Sequence, residues 1–382
     1  MLASVAVVYL LLTTVYSYQP PFSTSGNSVV DSSGTAVKLR CVNWAGSMET
    51  LLPEGLQHNS IDGIALLIQQ MNFNCVRLTY SIDTTQSPSL TVRQSLARLN
   101  LLSALIGFNN HNPALIDASV SDVFDAVLDS LGRHNLLVLL DNHVSKAMWC
   151  CSDSDGNGFW GDKYFDADEW IDGLKYMATK TINRHHVIAM SLRNELRGLR
   201  ETETDWYHYM LRGIQEAIMV VNPQLLIVVS GLNYDLDLSF IRNSPIQNLL
   251  PQSIRNKIVY EGHWYSWSNY GQSTECSKMQ AGVQQAWGYL LEENQPYTTP
   301  VWLTEFGTNV DQFSGTDLYI NCVRDYVLHA TPTTHISWAY WVLGGSYYIR
   351  EGIVEYHESF SLLTDDWSRV KSQSFINILS QM

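Results

Sequence analysis

Two short apolar segments of the chain each end in a glutamate. Residues 187–192 are followed by Arg193, Asn194 and Glu195, and residues 300–304 lead directly into Glu305. Apolar runs of this length are typical of buried strands, and polar residues that follow them are delivered to one edge of a sheet. Two carboxylates at strand ends could perform glycoside hydrolysis, in which one protonates the leaving oxygen while the other attacks or stabilises the anomeric carbon.

Strand-like and helical segments alternate along the chain, which suits parallel strands joined by helical crossovers. The predicted strands are residues 37–42, 74–79, 136–141, 187–192, 225–230, 258–261, 301–304 and 335–341. The predicted helices are residues 61–71, 120–131, 170–181, 206–221, 279–291 and 317–328. Residues 22–38 are expected to form a small hairpin that caps one end of the barrel into which these strands would close.

The distribution of polar residues separates two possible α/β folds. A doubly wound sheet would concentrate them at one switch point, usually beside a glycine-rich phosphate loop, and the sequence contains no such loop. Here they follow many different strands, which favours an α/β fold of the (β/α)8 TIM barrel type. We therefore predict a single catalytic domain over residues 18–382, with the hairpin at its N-terminus.

The residues at the strand ends resemble those of glycoside hydrolase family 5, the cellulase family. The most specific elements are Asn194-Glu195, His263-x-Tyr265, and Glu305 before Phe306-Gly307. A narrower likeness lies in residues 149–151, 155–165 and 191–198, which resemble the secreted cellulase-like members found in plants and other eukaryotes.

The resemblance implies a role for each residue at a matching position. Glu195 would be the general acid/base and Glu305 the nucleophile of a retaining mechanism that needs neither metal nor organic cofactor. The implied substrate-binding residues are Arg77, His143, Asn194, His263, Tyr265 and Trp341. In this scheme Arg77 and Tyr265 hold the nucleophile ionised, Asn194 binds the sugar 2-hydroxyl, the histidines contact hydroxyls or orient the carboxylates, and Trp341 stacks on the sugar.

Each of these residues also has an ordinary structural interpretation. Arg77 could belong to a barrel ion pair, the two histidines could be satisfied core residues, and Trp341 could simply pack. The joint occurrence of the two glutamates with their supporting residues favours an enzyme over a secreted carbohydrate-binding barrel without catalysis. The leading substrate is a β-1,4-glucan cut internally, as by a cellulase, while β-mannan, β-1,3-glucan and glycosides or glycolipids remain open.

Composition limits the partners of the protein. The 382 residues carry a net charge of −14, from 37 acidic and 23 basic side chains, and lack the basic clusters that bind nucleic acid. Residues 1–17 are uncharged and largely apolar, which predicts a secretory signal peptide and an extracellular protein. We expect no membrane association after cleavage, a monomeric state, and a polysaccharide or oligosaccharide as the substrate.

Secretion permits disulfide bonds among the six cysteines. Cys41 and Cys75 lie in strand-like segments and are predicted to be buried free thiols. Cys150 or Cys151 is predicted to pair with Cys276, because all three lie in long loops. Neither a CxxC pair nor a histidine at ligand spacing indicates a zinc site.

Overall fold

A computed structural model describes residues 18–268, 270–331 and 336–382. The predicted signal peptide, residues 1–17, lies outside the described residues. The first element is an antiparallel hairpin of β1 (Ser23–Ser25) and β2 (Ser28–Val30), within the predicted range. Of the helices in the described ranges, none is long and apolar enough to cross a membrane.

Eight parallel strands close into a barrel, which confirms the predicted (β/α)8 fold. The strands are β3 (Arg40–Trp44), β4 (Cys75–Ser81), β5 (Leu137–Val144), β6 (Val187–Ser191), β7 (Leu226–Val229), β8 (Ile258–His263), β9 (Val301–Phe306) and β10 (Trp338–Tyr340). Around the barrel the strand order is β10-β3-β4-β5-β6-β7-β8-β9, so each strand pairs with its neighbour in sequence and the last closes on the first. All eight overlap the predicted segments.

Helices cover the outside of the barrel between successive strands. They are α1 (Ile61–Gln70), α2 (Ile82–Gln86), α3 (Val92–Arg98), α4 (Leu102–His111), α5 (Val120–Arg133), α6 (Ala167–Lys180), α7 (Glu203–Arg212), α8 (Met219–Val221), α9 (Cys276–Ala286), α10 (Leu318–His329) and α11 (Gln373–Leu379). A π-helical segment, Gly213–Ile218, joins α7 to α8. The sequence did not predict α2, α3, α4 and α11.

A second hairpin, β11 (Ser346–Arg350) and β12 (Ile353–His357), follows the last barrel strand and was also missed. Strand β12 is largely exposed and mixes apolar with charged residues. Without a buried face it lacks the alternation that reveals a half-buried strand.

Two apolar layers hold the barrel together. The larger one packs the outer faces of the strands against the helices. The smaller one fills the barrel interior below the strand ends and includes Phe22, Val29 and Val37 of the N-terminal segment together with Leu139 and Trp302. The hairpin therefore closes the N-terminal end of the barrel, which leaves the opposite end to carry the polar residues.

The disulfide pairs differ from the predicted ones. Cys41 pairs with Cys75, Cys150 with its neighbour Cys151, and Cys276 with Cys322, so no described cysteine is free. The prediction of free thiols in the first two strands was wrong because Cys41 and Cys75 stand opposite each other in the register of β3 and β4. The predicted link to Cys276 was wrong because that residue begins α9, next to Cys322 on α10.

The bridges should differ in their effect on stability. The Cys276→Ala/Cys322→Ala variant is expected to lose about 4 kcal/mol of unfolding free energy in urea, because its bridge spans a sequence separation of 46. The Cys150→Ala/Cys151→Ala variant should lose less than about 1 kcal/mol, because adjacent residues close almost no loop. Equal losses of unfolding free energy in the two variants would contradict the predicted difference between the two bridges.

Candidate active site

The C-terminal edge of the barrel collects polar and aromatic residues from seven of its strands. Asn43 lies on β3, Arg77 on β4 and His143 on β5, while Asn194 and Glu195 follow β6. The remaining predicted residues are His263 at the end of β8, Tyr265 two positions later, Glu305 near the end of β9, and Trp341 directly after β10. This is the edge where barrels of this fold place their reactive groups.

Glu305 is held by two donors, one on each carboxylate oxygen. Arg77 donates from Nη1 to Oε1 at 2.7 Å, and the Tyr265 hydroxyl donates to Oε2 at 2.9 Å. The side chain is almost buried, so both contacts act in surroundings of low dielectric. The guanidinium stabilises the ionised form of the carboxyl group and fixes the direction in which its free lone pairs point.

Glu195 sits at a strained backbone position with a φ of +44°. Its peptide N–H donates to Oδ2 of the buried Asp235 at 2.9 Å, and Arg197 donates to its carbonyl oxygen at 2.6 Å. On the side chain, Oε1 lies 2.8 Å from Nδ1 of His263. Burial raises the pKa of Glu195 above its ordinary value, which favours the protonated form that a general acid needs.

His263 lies between the two glutamates. Its Nδ1 is 2.8 Å from Glu195 and 3.8 Å from Oε2 of Glu305. One oxygen of each carboxylate and a nitrogen of this ring lie within 4.8 Å of one another. Burial lowers the pKa of His263 to about 4, so the imidazole is neutral near pH 7 and can donate one hydrogen bond without adding a charge.

A buried polar network supports the pair from below. Arg77 also contacts Asn43 at 3.0 Å, Asn194 at 2.8 Å, Asp141 at 3.0 Å and Glu261 at 3.4 Å. Burial opposes ionisation of Asp141, but Arg77 and a hydrogen bond from His143 lower its pKa below the ordinary value.

For the other acidic residues of this network, neighbouring positive charges and hydrogen bonds do not offset the effect of burial on the pKa. Burial raises the pKa of Glu261 to about 7 and that of Asp235 well above its usual range. Arg77 is therefore the main positive charge among several buried carboxyl groups. Its removal should lower the stability of the fold, because those groups would lose their charged partner.

Replacing Arg77 with leucine should destabilise the protein by about 3–5 kcal/mol, because the variant buries unpaired carboxylates. Since the folded-state pKa of Asp141 is lowered, its contribution to stability is present above its unfolded pKa and is lost as the pH falls. The difference between wild type and variant should therefore be larger at about pH 7 than at about pH 2, below the unfolded-state pKa of Asp141. Urea unfolding at both pH values measures it.

Arg212→Leu provides a matched control for this variant. Arg212 pairs with the exposed Asp168 at 2.9 Å on the protein surface, where an ion pair contributes below about 1 kcal/mol. A similar loss in the two variants, or a pH-independent loss for Arg77→Leu, would contradict the role given to the buried network.

The two glutamates face a cleft of about 610 Å³. His143 forms part of it: its Nδ1 lies 2.8 Å from Asp141, and its ring stacks on Trp341 with centroids 5.3 Å apart and planes 10° from parallel. Other aromatic side chains on its walls are Trp149, Tyr234, Tyr265, Trp267, Tyr356 and Phe360. Such surfaces suit the apolar faces of sugar rings.

The predicted site residues occupy two layers. Six of them line the cleft: His143, Glu195, His263, Tyr265, Glu305 and Trp341. Arg77 and Asn194 are fully buried beneath the cleft. Arg77 contacts Glu305 and Asn194, and so links the buried layer to the cleft. The Nδ2 of Asn194 has no hydrogen-bond partner within the described ranges, whereas its Oδ1 accepts from Arg77.

Sequence reasoning missed Asp235 and the second hairpin. Asp235 follows β7 by six residues, within three consecutive positions of positive φ, and only the fold brings it under Glu195. An Asn-Tyr-Asp run after a predicted strand was the available signal, and it is weak. The hairpin adds Arg350, Tyr356 and His357 to the cleft wall.

Arg193 and Arg197 anchor the long loop after β5. Arg193 lies 3.8 Å above the ring of Phe165 and donates to Ser145 at 2.9 Å and to the carbonyl oxygen of Asn157 at 2.5 Å. Arg197 pairs with Asp155 at 2.6 Å. The motif around Glu195 thus places the acid and also fixes the loop beside it.

Some of these groups could in principle bind a metal. His263 brings a ligand atom within 4.8 Å of Glu195 and Glu305 on one side, and of Asp235 and Glu261 on the other. At Glu305 both oxygens are already engaged by Arg77 and Tyr265, and a cation there would face the guanidinium. The arrangement fits acid–base chemistry better than metal ligation. The absence of a cofactor remains a prediction.

Comparison with known proteins identifies the family of the chain. The sequence profile described as Cellulase (glycosyl hydrolase family 5) matches residues 30–346. A protein from Chamaecyparis obtusa named "Glycosyl hydrolase 5 family protein" is 39% identical over 385 residues, covering 98% of this chain and 68% of the relative. An endoglucanase from Paenibacillus polymyxa is 25% identical over 398 residues, covering 93% of this chain and 88% of the relative.

Solved structures share the fold. The catalytic domain of the major endoglucanase from Xanthomonas campestris pv. campestris superimposes with a TM-score of 0.74 at 21% identity, covering 94% of this chain and 99% of that one. A hyperthermophilic endocellulase from Pyrococcus horikoshii gives a TM-score of 0.74 at 20% identity, covering 95% and 99%.

The closed barrel, the pair of carboxylates and the sequence matches together define the protein as a (β/α)8 glycoside hydrolase. The chain belongs to glycoside hydrolase family 5, the family whose motifs its strand ends resemble.

Proposed function

We propose that the protein is a secreted, retaining endo-β-1,4-glucanase in which Glu195 is the general acid/base and Glu305 the nucleophile. The observation that carries the proposal is the approach of the two carboxylates to within 4.8 Å, with opposite surroundings. Retaining enzymes hold their carboxyl groups about 5–5.5 Å apart, whereas inverting enzymes leave a wider gap for a water molecule.

The two surroundings assign the two roles. Arg77 and Tyr265 donate to Glu305 and favour its anionic form, which can attack the anomeric carbon. Burial favours the protonated form of Glu195, which can protonate the glycosidic oxygen as that bond breaks. In the second step Glu195, now ionised, takes a proton from water, and the resulting hydroxide displaces the sugar from Glu305.

Two further residues suit substrate binding. We assign the contact with the sugar 2-hydroxyl to Nδ2 of Asn194, which lies beneath the cleft and has no hydrogen-bond partner within the described ranges; this contact strengthens in the transition state. Trp341 lines the cleft with its ring backed by His143 and offers a stacking surface at the cleavage point.

Preference for a β-1,4-glucan is supported by the relatives. Proteins from Paenibacillus polymyxa and from Xanthomonas campestris are named endoglucanases, and the latter is named extracellular. A Pyrococcus horikoshii endocellulase of the same fold has a solved structure titled as a complex with cellotetraose. Three disulfides also suit an oxidising compartment, as the predicted signal peptide implies.

A substrate panel tests the specificity. Purified protein is incubated with carboxymethyl cellulose, β-mannan, laminarin and cellotetraose, and the products are separated by chromatography. We expect a rapid fall in viscosity of the cellulose derivative and cellobiose from cellotetraose. Faster turnover of mannan or laminarin would reject the β-1,4-glucan assignment, and release of single sugars from chain ends would reject endo action.

A further inference from the structure

The Cys150–Cys151 disulfide lies on the wall of the catalytic cleft. Both residues are half-buried and line the cleft beside Trp149, within a loop that the fold anchors through Arg193 and Arg197. The sequence motif that contains them has no part in the acid–base mechanism described above.

This bridge cannot serve the usual purpose of a disulfide. A bridge stabilises a fold by closing a loop in the unfolded chain, and adjacent residues close almost none. Cys41–Cys75 and Cys276–Cys322 each join separate elements. The effect of the third bridge is local: it fixes the backbone and presents two sulfur atoms to the cleft.

The position of the sulfurs indicates which part of the substrate they would meet. Ligand atoms of Cys150, Cys151 and Glu195 lie within 4.8 Å of one another, whereas the cluster of the same size that holds Glu305 contains Glu195 and His263 but neither cysteine. In a retaining mechanism the acid/base stands beside the leaving group, and the nucleophile stands below the sugar that becomes attached to the enzyme. A surface next to Glu195 on the loop side therefore borders the leaving group.

We propose that the Cys150–Cys151 disulfide is a binding surface for the leaving-group sugar, the glucosyl unit released when the bond is cut. The inference rests on the proposed function of Glu195. Disulfide sulfurs are polarizable and uncharged, and they suit the apolar C–H edge of a pyranose. Trp149 gives this surface a rigid border, because Arg350 lies 3.3 Å above its ring and Tyr347 meets it edge-on at 5.6 Å.

Two substrates separate this role from catalysis. Cellotetraose carries sugars on the leaving-group side, whereas 2,4-dinitrophenyl β-cellobioside carries only a nitrophenol there. For the Cys150→Ala/Cys151→Ala variant we expect kcat/KM to fall about tenfold on cellotetraose and to change less than about twofold on the aryl cellobioside. The Cys276→Ala/Cys322→Ala variant is the control for losing a disulfide away from the cleft and should show no such selectivity.

Selective reduction provides a second measurement on the wild-type chain. Mild phosphine treatment should open the half-buried Cys150–Cys151 bridge first, since Cys41, Cys75 and Cys322 are at most 3% exposed. Alkylation and peptide mapping would verify the site, and the reduced enzyme should show the same selective loss on cellotetraose. This reduction experiment tests the proposal even if the Cys150→Ala/Cys151→Ala variant does not fold.

The outcomes distinguish the two claims. An equal fall on both substrates, or full cellotetraose activity without the bridge, overturns the inference and leaves the glycosidase assignment intact. Wild-type protein that hydrolyses neither substrate overturns the proposed function, and the inference falls with it.

Discussion

Replacing Glu305 with glutamine is expected to abolish hydrolysis of both cellotetraose and 2,4-dinitrophenyl β-cellobioside, with a loss of at least about 10⁴-fold in kcat. The amide cannot attack the anomeric carbon, and an activated leaving group does not compensate for a missing nucleophile. The amide oxygen can still accept from Arg77, and the amide NH2 can donate to the hydroxyl oxygen of Tyr265, so the barrel should stay folded. Steady-state kinetics and circular dichroism of the purified variant test both parts.

Glu203→Gln is the matched control for Glu305→Gln. Glu203 is exposed at the start of α7 and does not line the cleft, so the same change of charge there should leave kcat unaltered. Turnover by Glu305→Gln within tenfold of wild type would reject Glu305 as the nucleophile, as would a comparable loss in the control.

Replacing Glu195 with alanine should give a different pattern. With cellotetraose, whose leaving group needs a proton, kcat should fall by about 10²–10⁴-fold. With 2,4-dinitrophenyl β-cellobioside the first step needs no acid, so the glycosyl-enzyme should form at a rate close to that of the wild type and then accumulate. A burst of dinitrophenol followed by slow turnover would be the kinetic evidence, and added azide should accelerate the slow phase by attacking in place of water.

The pH profile tests the same residue without a change of substrate. Because burial raises the pKa of Glu195, the wild-type enzyme should keep its acid protonated above the ordinary range and lose kcat/KM as the pH rises through that value. The alkaline fall should be present with cellotetraose, whose leaving group needs a proton, and should be absent from the residual cellotetraose activity of Glu195→Gln. An alkaline limb that persists in this variant would assign the titrating group to another residue.

Strand positions and the two glutamates could be predicted from the sequence because both depend on local patterns. An apolar run that ends in Asn194-Glu195 or in Glu305 indicates the strand, its C-terminal end and the carboxyl group at that end together. Once eight such runs alternate with helices, the closure of the barrel brings their ends to one edge. Arg77 and Tyr265 followed from the same logic, since each lies on a strand or directly after it.

The disulfides and Asp235 could not be predicted because they depend on register and on distant packing. Cys41 meets Cys75 through the pairing of β3 with β4, and a shift by one residue would point them apart. Cys276 meets Cys322 because α9 packs against α10. Asp235 reaches the peptide N–H of Glu195 from a loop 40 positions later in the chain.

The central claim, a covalent intermediate on Glu305, can be tested by trapping that intermediate. Incubation with 2,4-dinitrophenyl 2-deoxy-2-fluoro-β-cellobioside should inactivate the enzyme, because the fluorine slows both steps and the dinitrophenol leaving group restores the rate of the first step only. Mass spectrometry should then find one fluorocellobiosyl group per chain, on the peptide that contains Glu305. A label on Glu195 or elsewhere, or turnover without a label and with an inverted product, would contradict the account.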